Sequence, residues 1–322
     1  MWVELICGIA VFRLLKRYFS GDDVIDAETC HANALFSVAR QLERLYCGKV
    51  FVGLQIPDAD SGSRRSIDLV LVTQREVAVI SVKNVSGVVN IDKDGSWVCT
   101  DGLTHKREHY PDPVAETKQL IPILESYLEK RGVFFPEGYL SWKVICPNPN
   151  FRTVHPDSFP SEVITYDQLV QPKPDDRSLL SRWIKCVFPF GKKEMLEAML
   201  EKLNGILCTA PMWDRLELKN NKCLLGEFLE FKGKRDDILA LRNVKRSKVS
   251  RLTIQNTSTY GLAPSKIQIL YSPRDNHGEG TSASEWKRVC VLSSTEVLFQ
   301  CQGCSEVKNY RLSSVIYMSL SV

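Results

Sequence analysis

Two short runs decide the fold: Ser66-Ile-Asp-Leu-Val-Leu-Val72 and Val77-Ala-Val-Ile-Ser-Val82, joined by the polar turn Thr73 to Glu76 and followed by Lys83-Asn-Val-Ser-Gly87. β-branched residues dominate both runs, and a short polar turn between them predicts an antiparallel hairpin. Their near-continuous apolarity is that of strands covered on both faces. Against this background Asp68 and Lys83 stand out. Taken alone, they read as a cross-strand ion pair worth at most about 1 kcal/mol if partly exposed.

Working outward, Ala34, Leu35, Val38, Leu42 and Leu45 recur at three- and four-residue spacing, which predicts an amphipathic helix over Ala27 to Tyr46. A strand is expected at Val50 to Ile56, then turn chemistry from Pro57 to Arg65. Gly87 to Cys99 alternates like another strand around Asp94-Gly95. Pro113 to Arg131 reads as a helix with proline in its first turn, and Lys143 to Cys146 as a further core strand. The order helix, three strands, helix, strand is that of an α/β sandwich.

The segments Ser66 to Val72, Ala78-Val-Ile-Ser-Val-Lys-Asn-Val-Ser-Gly87 and Tyr110-Pro-Asp-Pro-Val-Ala-Glu-Thr-Lys-Gln119 together resemble the nuclease-related domain family, NERD, of the PD-(D/E)xK nuclease superfamily. The resemblance covers about Ala27 to Val170 and implies a restriction-endonuclease-like α/β sandwich. It also implies a catalytic site in which Asp68 matches the central metal-binding Asp and Lys83 the catalytic Lys. If active, the site would use Mg²⁺ or Mn²⁺, because such ions take hard oxygen ligands from two or more carboxylates, and a nearby lysine stabilises charge developing on phosphate. Two family acids are replaced, one by Ser81 in the Glu-x-Lys segment and one by Ser66 just before Ile-Asp. The family's helical Glu falls near Ala34 or Leu35, neither acidic. Glu28 lies two turns earlier, and Glu116 stands where the family has a Gln, so these two are the candidate replacement ligands. A degenerate, pseudonuclease site is the expectation.

Helical patterns return at Ser178 to Cys186 and Lys192 to Leu207, so residues 171–212 read as a helical linker. From 213 to 322 short strand-like runs alternate with turns: Cys223 to Phe231, Leu239 to Val244, Val249 to Ile254, Ile267 to Tyr271, Arg288 to Leu292, Glu296 to Gln300 and Val315 to Leu320. This predicts a mainly β C-terminal domain, a small barrel or sandwich. Phe231-Lys-Gly-Lys-Arg-Asp-Asp237 lacks the spacing of a phosphate loop and reads as a hairpin turn. The run Arg242 to Arg251 carries Lys245, Arg246, Lys248 and Arg251, candidate phosphate contacts whose alternative is a solvated strand-protecting face.

A net charge of +4 neither demands nor excludes a nucleic-acid partner. Eleven scattered cysteines do not form a secreted disulfide framework and point to a reducing compartment. Residues 1–20 open with an apolar run of about eleven residues followed by Arg13, Lys16 and Arg17, too short for a confident span, which needs about 20. It reads either as a helix on a membrane surface, holding the rest on the cytoplasmic side, or as an amphipathic helix packed on the protein. Two functions follow: nucleic-acid binding with residual metal-dependent phosphodiester cleavage, or a non-catalytic protein-interaction module.

Overall fold

The expected hairpin forms the middle of a five-stranded sheet. The computed structural model describes residues 27–100, 107–155, 158–170, 193–256, 266–274 and 286–321. Residues 1–20, and the helix expected at Ser178 to Cys186, lie outside them. In order the first elements are α1 (Ala27–Tyr46), β1 (Lys49–Pro57), β2 (Arg64–Val72), β3 (Val77–Val82), β4 (Gly87–Ile91), β5 (Trp97–Thr100), β6 (Arg107–Tyr110), α2 (Pro113–Glu129), β7 (Leu140–Cys146), β8 (Phe151–Thr153), β9 (Val163–Thr165), α3 (Tyr166–Val170) and α4 (Lys193–Cys208).

The sheet runs β1-β2-β3-β7-β9, antiparallel as far as β3 and parallel beyond it. Every residue of β3 is buried, because helices cover both faces. On one face Leu35, Val38 and Leu42 of α1 pack on Leu69, Leu71, Ala78 and Ile80; on the other, Leu124 and Leu128 of α2 and Leu203 and Leu207 of α4 pack on Val70, Val72, Val77 and Val79. The α/β sandwich is therefore present, and its two-sided burial explains the unbroken apolar runs. Gly87 to Cys99, read as one strand, is a hairpin of two, β4 and β5, turned at Asp92 to Ser96; with β6 and β8 it builds a small second sheet around Trp97.

One irregularity shapes the sandwich where function is expected. On β1, Phe51 faces α2 and Val52 faces α1, yet Leu54 and Ile56 both face α2, so the alternation slips at Gly53. β2 slips at the same level: Leu69 and Leu71 face α1, while Ile67 joins Val70 and Val72 on the α2 side. Val52 pairs with Leu69 and Leu54 with Ile67, which puts Gly53 opposite Asp68. The roll relies on φ of +68° at Gly53, a left-handed conformation open to glycine. A Cβ there would also stand 3.3 Å from the Trp213 ring. Gly53→Ala is expected to cost about 1–2 kcal/mol, read as a lower urea midpoint at unchanged m-value.

The C-terminal elements are β10 (Asp214–Leu218), β11 (Lys222–Lys232), α5 (Arg235–Ala240), β12 (Val249–Asn256), β13 (Lys266–Pro273), β14 (Lys287–Leu292), β15 (Glu296–Cys301), β16 (Val307–Arg311) and β17 (Val315–Ser319). The strands form one antiparallel sheet ordered β14-β13-β12-β17-β10-β11-β15-β16. Ile267, Ile269 and Val291 near one end share a single core with Val297 and Phe299 near the other, so the sheet curls as a half-barrel. β10 and β16 were not anticipated from the sequence.

Leu239 to Val244 is not a strand but the end of α5 and a 3₁₀ turn, Leu241–Asn243. The buried residues there are Leu241 and Val244, three apart, while Leu239 is exposed; the period is helical. Likewise Phe231 to Asp237 leads from β11 into α5 rather than turning a hairpin. Asp237 fixes that helix by accepting from Leu292 N at 3.1 Å and Thr295 Oγ1 at 3.2 Å.

The two halves share an interface. Trp213 N donates to Gly53 O at 2.8 Å, Gln55 N to Pro211 O at 2.8 Å, and Cys223 N to Asn33 Oδ1 on α1 at 2.9 Å. Cys223 and Leu225 of β11 join the apolar cluster beneath α1.

Candidate functional site at the end of the hairpin

The ladder between β2 and β3 stops at the Leu69–Ile80 pair, and beyond it the strands part. Asp68 fills the opening: its Oδ2 accepts from Val82 N at 2.9 Å. Val82 N–H is thereby satisfied by a side chain in place of a strand partner. Lys83 follows immediately, its N–H donating to Ile145 O at 2.9 Å, and Asn84 Oδ1 accepts from Asn148 Nδ2 at 3.3 Å. These bonds hold the Lys83-Asn84 corner against the end of β7.

α2 delivers the third group. Asp112 caps its N-terminus, Oδ1 accepting from Val114 N at 2.9 Å and Ala115 N at 3.2 Å, with Pro113 at the start where no N–H is needed. The cap aims the first turn at the hairpin end, and Glu116 Oε2 accepts from Lys83 Nζ at 3.1 Å. Lys83 thus pairs with Glu116, not directly across the strands with Asp68. Asp68 still feels Lys83, Glu116 and His31. Burial pushes the Asp68 carboxyl above the ordinary carboxylate value; the Val82 N–H, His31 and Lys83 pull it back, and Glu116 adds to the rise.

His31 is a member that the sequence reading above does not single out. It lies four residues before Leu35 and seven before Val38, on the stripe of α1 that faces the sheet. That spacing was the available signal. Glu28 is in α1, and its side chain lies outside the described residues.

Ser81 and Ser66, the two positions where the sequence resemblance leads one to expect acids, are both engaged in hydrogen bonds. Ser81 is buried, and Thr117 Oγ1, itself fully buried, lies 2.8 Å from Ser81 Oγ and 2.6 Å from Pro113 O. Thr117 has one hydroxyl proton to give, and both Ser81 Oγ and the Pro113 carbonyl stand as acceptors for it. Ser66 Oγ accepts from Trp213 Nε1 at 3.0 Å and Gln302 Nε2 at 3.2 Å, tying β2 to the C-terminal half. Among the described residues no group of three or more His, Cys, Asp or Glu side chains is arranged to hold a metal ion.

The basic run separates into two kinds of residue. Lys245, Lys248 and Arg251 are exposed. Arg246 is committed inward, to the fully buried Asp214 and to Glu227 Oε1 at 2.9 Å. Asp214 also accepts from Phe228 N at 2.7 Å and Ser321 N at 2.6 Å, so this guanidinium is part of the C-terminal framework. No described helix is long and apolar enough to cross a membrane.

No curated protein and no solved structure matches the chain significantly. The family model for the nuclease-related domain, NERD, matches residues 31–145, about a third of the chain. The match begins at His31 and ends at Ile145, and so encloses Asp68, Lys83 and Glu116 along with strands β1, β2 and β3. Over this stretch the chain is similar to the nuclease-related domain family.

Proposed function

We propose that the nuclease-related domain engages the phosphate backbone of nucleic acid through Lys83 and is a poor phosphodiesterase. The observation that carries this reading is Ser81, buried and bonded to Thr117 where a nuclease of this kind has a metal-binding carboxylate. A Mg²⁺ or Mn²⁺ site needs several hard oxygens. The described donors are Asp68, which is bonded to the Val82 amide, and Glu116, which is paired with Lys83. This set does not fit a tightly held divalent ion, and no step is assigned to one.

Lys83, by contrast, keeps access to an anion. The side chains of Lys83 and Glu116 are 27% and 47% exposed, so their pair is weak and the ammonium can exchange Glu116 for a phosphate oxygen. Asp68 and Glu116 set the threshold for that exchange by competing for the same cation.

Polarisation of labelled single-stranded and duplex DNA and RNA by the full chain tests the reading. Binding should be salt-dependent, and Lys83→Ala should weaken it and lower the salt slope by about one unit. Glu116→Gln, which frees the ammonium, should strengthen it. With Mg²⁺ or Mn²⁺ the strands should stay intact; cleavage lost in both Asp68→Asn and Lys83→Ala would instead show a working nuclease. Failure to bind any strand would favour the non-catalytic protein-interaction module.

A further inference from the structure

α1 has a second face. Its stripe Leu35, Val38 and Leu42 is buried on the sheet, and a helix turns about 100° per residue, so Arg40 and Arg44 stand on the flank that looks toward the C-terminal half. There α1, β10 and β11 enclose a groove of about 640 Å³, lined among others by Arg40, Arg44, Arg215, Lys222 and Asn221. Glu217 is the only carboxylate in this lining, and it is already paired with Arg215. Arg40 and Arg44 have no hydrogen-bond or ion-pair partner among the described residues. Arg215 is held rigidly, its guanidinium 3.8 Å from the centre of the Phe36 ring, and its Nε is buried without a hydrogen-bond partner among the described residues.

We propose that this groove binds the phosphodiester backbone of a nucleic-acid strand. The proposal rests on the nucleic-acid reading above and adds a contact surface separate from Lys83. Arg40 and Arg44 are one helical turn apart, with Cβ atoms about 5–6 Å from each other, and guanidinium forks match phosphate oxygens two at a time. Several cations facing a single, already neutralised carboxylate call for a ligand with more than one negative charge. The site is a concave groove between two parts of the chain, which a strand can enter and a flat bilayer cannot. Its volume lies in the range of formed ligand sites, roughly 300–1,000 Å³.

The test uses the full chain, labelled single-stranded DNA and RNA, a salt titration, and the variants Arg40→Glu/Arg44→Glu, Arg40→Gln/Arg44→Gln and Lys83→Ala. Both arginines are exposed, so unchanged thermal midpoints should certify the folds. Charge reversal is expected to weaken binding about tenfold or more, and the Gln pair to lower the salt slope by about two. Wild-type affinity and slope in both double variants would overturn the groove, and a loss in Lys83→Ala alone would leave the Lys83 reading standing. Loss in the double variants with none in Lys83→Ala would uphold the groove and remove the Lys83 reading. Should the wild-type chain ignore every oligonucleotide yet bind polyglutamate through these arginines, an acidic peptide is the ligand and the proposal fails.

Discussion

Arg246→Ala should destabilise the chain by about 3 kcal/mol, the low end of the 3–5 kcal/mol typical of breaking a buried ion pair. Asp214 is 1% exposed, and Arg246 is its only ion-pair partner among the described residues. The Phe228 and Ser321 amides would remain, but two hydrogen bonds do not neutralise a buried charge. Arg246 itself is about a third exposed, so water entering the vacated space offsets part of the loss. The effect reaches beyond one pair, because Asp214 opens β10, Phe228 lies in β11 and Ser321 follows β17, and Arg274 anchors the same corner through Arg246 O at 2.7 Å and Leu320 O at 2.6 Å.

The pH dependence of that loss follows from burial, which raises the Asp214 carboxyl above its ordinary value of 3.8. A carboxyl raised in the folded state favours folding most when protonated: its contribution is fully present below the unfolded value and is lost as pH rises through the folded one. Without the guanidinium the folded value rises further. The gap in thermal midpoint between wild type and Arg246→Ala should therefore narrow as pH falls toward the ordinary carboxylate range. A gap that stays constant across that range would mean the loss comes from packing rather than charge.

A second contrast separates the structural and functional roles of Asp68. Asp68→Asn keeps an acceptor for Val82 N–H and removes a charge that burial disfavours; Asp68→Ala removes both. The Asn variant should melt at or above wild type at neutral pH, and the Ala variant should fall about 1–3 kcal/mol below the Asn variant, the usual cost of a stranded buried donor. Because the Asp68 carboxyl is raised in the fold, any gain of Asn over wild type should be largest at neutral pH, shrink as pH falls through the folded value and vanish below the ordinary carboxylate value. A clear loss in Asp68→Asn would show that the charge itself holds the hairpin end together, through Lys83 or His31. Stability gained on removing a site charge is the pattern of a residue retained for function.

How much of the site was legible depended on how local its causes are. The hairpin, and the capped helix beginning at Asp112-Pro113, are written in neighbouring residues. Asp68, Lys83 and Glu116 were picked out by the family resemblance that those segments carry, and the tertiary structure brings all three together. Leu239 to Val244 was misread because a short apolar run with two polar residues suits either period, and burial alone reveals that Leu241 and Val244 are the inward pair.

What the sequence by itself determined is the helices α1 and α2, the strands β1, β2, β3 and β7, and the identities of the charged groups at their ends, since periodicity and turn chemistry act within a few residues. What only the tertiary structure decided is which groups meet across long separations. Ser66 is claimed by Trp213 and Gln302, Arg246 by Asp214, and Asp68 is approached by His31 as well as Lys83. These pairings depend on the roll at Gly53 and on how the C-terminal sheet docks against α1. Those features arise from packing two hydrophobic faces at close density, and no local pattern encodes that geometry.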